Sequence, residues 1–164
     1  MEGQRKHDPP GSPTPGQPAP VAASSAEGTW QAMGGHRIRI EGDIVEWEGI
    51  GPVGVLDIRS YQGIRDQVLG RYGYCLALVN AKQSAGISAD ARRYLVEHSR
   101  THAERRIATA VYGVSGAAYA MAALVIRAME LLGRRKNKIM ICADEAAARA
   151  WLDEQRLQYQ SGPG

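Results

Sequence analysis

Residues 36–48, HRIRIEGDIVEWE, alternate apolar and polar positions on both sides of Gly42-Asp43. A period of two marks a half-buried strand, and an Xaa-Gly-Asp centre between two such runs predicts a hairpin of antiparallel strands. The next stretch, GIGPVGVLDIRSYQGIRDQVLGRYG, changes period. Val53, Val55 and Leu56 lead into a helix whose stripe is Ile58, Tyr61, Ile64 or Arg65, Val68 and Leu69, ending at Gly70 or Gly73. YCLALVNA is short and nearly all apolar, the pattern of a strand covered on both faces, and KQSAGI reads as the loop that follows it.

Ser88 opens SADARRYLVEHSRTHAERR as an N-cap, with Asp90 in the first turn, where a negative charge suits the helix dipole. RIATAVYGV is a further apolar strand. Ser115 can cap a long helix through Leu132, closed by Gly133 and the cations Arg134, Arg135 and Lys136. NKIMICA is another strand, and Asp144 caps the last helix, DEAAARAWLDEQRLQ, before a polar tail. The resulting order, ββαβαβαβα, predicts an α/β open sandwich. Its sheet is mainly parallel with right-handed crossovers and an N-terminal antiparallel hairpin. In such sheets ligands and partners meet the loops at the carboxyl ends of the parallel strands, here KQSAGIS, YGVSG and CADE.

Composition sets the boundaries. The chain has 164 residues, and six of its eight prolines fall within the first twenty, which hold no Val, Ile, Leu or aromatic residue. Such a segment cannot bury a core. We expect a disordered tail over 1–33, one domain over 34–158 and a flexible tail over 159–164. Phenylalanine is absent, so the core must be built from branched aliphatics, Met and Ala with a few Tyr and Trp. A net charge of +3 without a basic stripe gives no reason to expect nucleic acid. Cys75 and Cys142 lie in apolar runs without CxxC spacing and read as core residues of a reduced compartment. The basic start runs into Pro and Gly rather than the apolar run of a secretory signal, which predicts a cytoplasmic protein. The apolar stretch from Ala117 is broken by Arg127 and Glu130, well short of the roughly 20 residues of a spanning helix.

Several of these features resemble the STAS domains of anti-sigma-factor antagonists, in particular the SpoIIAA-like branch, which is related in fold to CRAL-TRIO lipid-binding domains. The residues that carry the resemblance are the Gly-rich approach to Ser88 with Asp90-Ala91-Arg92, the strand end Val111-Tyr112-Gly113 before Ser115, and Asp144-Glu145 followed by Ala148, Ala150, Trp151 and Leu152. It spans about Gly35 to Arg156. What it implies is a non-enzymatic module for signalling or protein interaction, partnered by a kinase or regulator. In that family, a Ser at a helix start is phosphorylated and releases the partner, because a phosphate adds about −1.5 to −2 charge to the contact surface. The family's acidic-Ser-Ser-Gly motif is absent here. With Asn80 matched to its strand-end Asp, the acceptor position falls on Ala89, next to Ser88. The CRAL-TRIO relationship implies the alternative, a carrier or sensor of a lipophilic or anionic small molecule.

Candidate sites follow from these placements. Ser84 and Ser88 are the possible phospho-acceptors or partner-loop residues, although Ser88 also reads as a plain N-cap. Gly113, Ser115 and Gly116 join a strand to a helix N-terminus, where free backbone N–H groups can receive an anion. Arg134, Arg135 and Lys136 suit an anionic headgroup or acidic partner, and equally complement a helix dipole. The helix AAYAMAALVIRAMELL is apolar nearly all round, fit for core packing, a homodimer contact or the cover of a greasy pocket. His98 and His102 share a helix face, but no third ligand follows at metal-binding spacing, so we expect a pair at the core boundary and no metal. No catalytic constellation stands out, and no cofactor is expected.

Overall fold

The computed structural model describes residues 28–102, 104–114, 116–131 and 137–162. Within them run β1 (Gln31–Met33), β2 (His36–Glu41), β3 (Ile44–Val53), α1 (Val55–Tyr72), β4 (Cys75–Ile87), α2 (Ala89–Thr101), β5 (Ile107–Tyr112), α3 (Gly116–Leu131), β6 (Lys138–Ile141) and α4 (Glu145–Ser161). The strands form one sheet in the order β1-β2-β3-β4-β5-β6. β1, β2 and β3 pair antiparallel, and β3 to β6 pair parallel. This is the mixed α/β architecture with an N-terminal antiparallel hairpin that the hydrophobic pattern predicts.

The hairpin turns where the alternation places it. Gly42 has φ 59°, Asp43 keeps an ordinary negative φ, and Glu41 pairs with Ile44 across the turn. That is the type II′ arrangement, whose twist matches that of the strands it joins. Two of the three predicted N-caps are in place: Ala91 N–H donates to Ser88 Oγ at 3.2 Å and Ala147 N–H to Asp144 Oδ1 at 2.8 Å, while the third, Ser115, lies outside the described residues.

Strand β4 is the pivot of the core. Its side chains alternate between faces, which is why YCLALVNA has almost no polar position. Cys75 and Ala77 join Trp47, Ile58, Tyr61 and Val68 on the face that carries α1 and α2. Leu76 and Leu78 join Ala108, Ala110, Ala148 and Leu152 under α4.

Three boundaries differ from the expected ones. The sheet starts before residue 34, because β1 adds to β2 through Gln31↔Ile38 and Met33↔His36 and buries Met33. KQSAGI is not a loop. It continues β4, held by parallel pairing with the Gly-rich end of β3 out to Val53↔Ile87. Two register shifts and the positive φ of Gly51 and Gly86 absorb the irregular sequence there, so cross-strand hydrogen bonding overrides weak strand propensity. At the far end α4 runs to Ser161 instead of stopping at 158, because Tyr159 is buried against Tyr74.

Candidate functional site

The face of the sheet under α1, α2 and α3 encloses a partly open cavity of about 570 Å³. Its floor is a row of paired strand positions: Trp47 pairs with Val79, and Val79 with Val111. Thr109 and Ile139 make the next row. The roof is helical. Ile58, Tyr61, Gln62 and Arg65 come from α1, Leu95 and His98 from α2 with its C-cap His102, and Ala122 and Ile126 from α3. The volume lies within the roughly 300–1,000 Å³ of small-molecule sites, and a mostly apolar lining with a few placed polar groups is their usual chemistry.

Those polar groups are distinctive. Trp47 Nε1, Tyr61 OH, Arg65 Nε and Asn137 Oδ1 are buried without a hydrogen-bond partner among the described residues, and all four residues line this cavity. Leaving a buried donor or acceptor unmet costs about 1–3 kcal/mol, so a concentration of them at one place calls for a physical reason. Tyr61 and Trp47 are 4% and 5% exposed, with their rings 4.7 Å apart. Burial holds the Tyr61 phenol far above its ordinary range, against the pull of the Arg65 charge, so it stays an O–H donor. The Arg65 guanidinium lies over the Tyr61 ring at 5.0 Å and donates to Thr109 Oγ1 at 3.5 Å.

No Asp or Glu lines the cavity among the described residues. Arg105 is neutralised by Asp66, Arg92 donates to the Ile87 carbonyl, and Lys138 turns to Gln155 and Gln158 under α4. The acidic residues of the sheet lie elsewhere. Glu46 and Glu48 are buried and tied to arginines, Glu46 to Arg39 and Arg149 and Glu48 to Arg37. Cys75 is also a poor reactive group, its thiol pushed up to about 12 by burial.

His98 and His102 stack at 4.0 Å along the roof, a pair at the core boundary as their spacing predicts. Among the described residues no third ligand joins them. Burial, followed by His102, Arg105 and Arg65, lowers the His98 pKa from 6.5 to about 4, with only Asp66 acting the other way. Because the folded value lies below the unfolded one, the unfolded state takes up its proton first on acidification. We predict that the NMR titration midpoint of His98 falls near 4, and that the denaturant midpoint of the protein declines between pH 6.5 and about 4. His98→Leu should flatten that decline. A midpoint near the ordinary value would refute the prediction.

The serine positions are engaged locally. Ser88 caps α2, and Ser84 Oγ, on the continued β4, accepts from Gly86 N–H at 3.1 Å. Gly113 has φ 79°, and a Cβ there would lie 2.9 Å from the Lys82 backbone nitrogen, so β4 closes over this glycine. Gly116 opens α3 with φ 56°. Ser115, Arg134, Arg135 and Lys136 lie outside the described residues. Sequence reasoning passed over Tyr61 and Arg65 as site residues. The available signal was their i, i+4 spacing at the margin of the α1 stripe, where Arg65 competes with Ile64 for the inward position.

No protein-family model matches the chain, and no curated protein matches it. Among solved structures it is similar to an uncharacterised DUF3478-family protein with a SpoIIAA-like fold from Shewanella loihica PV-4. The TM-score is 0.48 and the sequence identity 16%, over 71% of this chain and 91% of that one.

Proposed function

We propose that this protein is a non-enzymatic binding module whose cavity takes up a small, largely apolar molecule, as a carrier or sensor. The observation that carries the reading is the cavity of about 570 Å³ between the sheet and α1–α3, apolar in most of its lining and lined by four residues that carry buried polar atoms without a partner among the described residues. The carrier reading stands ahead of the partner-switch reading because the Ser84 and Ser88 hydroxyls already serve local backbone bonds. It stands ahead of an enzymatic one because the buried carboxylates Glu46 and Glu48 are held by arginines on the opposite face.

Native mass spectrometry of the protein purified from its own host should show a small-molecule adduct that is released on denaturation. Val111→Phe puts a ring into the cavity from the middle of its floor, where there is room for it. That variant should keep the wild-type unfolding midpoint and lose at least roughly tenfold in affinity, about 1.4 kcal/mol, for decanoate and 1-decanol alike. No uptake of either probe by the wild type, or equal uptake by both proteins, would overturn the proposal.

A further inference from the structure

We infer that the part of the cavity lined by Arg65, Tyr61 and Trp47 is a carboxylate site, so that the ligand is a monoanionic acid with an apolar body. The inference rests on the reading of the cavity as a ligand site and adds the chemistry of the head group.

Three residues that line the cavity each carry a buried donor with no acceptor among the described residues: Trp47 Nε1–H, Tyr61 O–H and Arg65 Nε–H. Trp and Arg nitrogens are donors only. A tyrosine hydroxyl kept protonated by burial adds a third donor. A site lined by donors wants an acceptor-rich ligand group, and the guanidinium makes a negative charge on it favourable. Arg105, the other guanidinium near His98, is already paired with Asp66, which leaves Arg65 without a carboxylate among the described residues. The planar fork of that guanidinium matches the two oxygens of a carboxylate.

The floor is pre-set for this role. Thr109 Oγ1 accepts from Arg65 Nη1 and steadies the guanidinium from β5, while the Tyr61 ring supports its flat face and Nε has no acceptor among the described residues. The apolar body then lies along Val79, Val111, Leu95 and Ile126.

Isothermal titration of the full chain with decanoate, decyl phosphate and 1-decanol tests this. We expect the wild type to bind decanoate more tightly than the other two. Arg65→Gln should cut decanoate affinity at least tenfold while 1-decanol changes less than twofold, and Tyr61→Phe, which keeps the ring, should cut decanoate affinity three- to tenfold. Retained 1-decanol binding shows that each variant is folded with its cavity intact. Decanoate binding undiminished in Arg65→Gln, or decyl phosphate bound more tightly than decanoate, would overturn the carboxylate site and leave the cavity reading standing. Failure of all three probes on the wild type would overturn both.

Discussion

Gly113→Ala should destabilise the fold by about 2–5 kcal/mol, while the same change at Gly63 or Gly70 should stabilise it by up to about 1 kcal/mol each. The contrast comes from backbone geometry. Gly113 follows β5 with φ 79°, a left-handed conformation that costs an L-residue roughly 1–2 kcal/mol. A Cβ there would also meet Lys82, 2.4 Å from its Cγ and 2.9 Å from its backbone nitrogen. The lysine stem can swing away. The nitrogen cannot move without displacing β4, which adds an overpacking penalty of about 1–3 kcal/mol. Gly63 and Gly70 lie inside α1 with nothing within 4 Å of an added Cβ, so alanine there only removes backbone freedom from the unfolded chain. Urea denaturation of the three variants checks both signs. Because β4 at Lys82 also borders the cavity, Gly113→Ala should weaken decanoate binding as well. A Gly113→Ala protein as stable as the wild type would refute the account of why glycine stands there.

Local signals carried much of this architecture. The Gly42-Asp43 centre located its turn, and Ser88 and Asp144 cap the helices they were expected to cap. The all-apolar run from Cys75 announced a strand covered on both sides. What was illegible depends on partners distant in the chain. Residues 82–87 carry Lys, Gln, Ser and Gly and read as a loop. They are extended because β3 supplies a ladder to pair with. The N-terminus of α1 is closed by Asp57 Oδ2, which accepts from Gly54 N–H at 2.8 Å, and Gly54 gives no side-chain signal of a cap. The cavity is less legible still. Trp47, Tyr61, Arg65 and Thr109 come from β3, α1 and β5, and each alone passes for ordinary sheet or stripe composition. Only the assembled geometry shows that these residues line one space and that Trp47 Nε1, Tyr61 OH and Arg65 Nε lack partners among the described residues. The loop glycine expected to cradle an anion, Gly113, is accounted for by the approach of Lys82.

Arg156→Met should cost roughly 2–3 kcal/mol, by detaching α4 from the hairpin turn. Arg156 grips Asp43 through two bonds, Nε to Oδ2 at 2.8 Å and Nη2 to Oδ1 at 2.9 Å. Tyr74 O–H donates to the same carboxylate at 2.8 Å. Breaking a fully buried pair costs about 3–5 kcal/mol. Here the side chains are 27% and 12% exposed, so solvent recovers part of that. The acid limb gives a second reading. Burial alone would raise the Asp43 pKa, but hydrogen bonds from Arg156 and Tyr74 and the Arg156 charge outweigh it and hold it below its ordinary 3.8. Since the folded value is the depressed one, this stabilisation is complete above pH 3.8 and is lost as pH falls further. The wild type should therefore lose stability below pH 4 more steeply than Arg156→Met. A cycle with Asp43→Asn isolates the pair: the double variant should be less destabilised than the sum of the singles, with a coupling of about 1–2 kcal/mol at neutral pH that vanishes at low pH. Additive losses would mean that the turn and α4 are held together by the apolar contacts of Leu152 and Tyr159 alone, with the ion pair no more than an ornament on their surface.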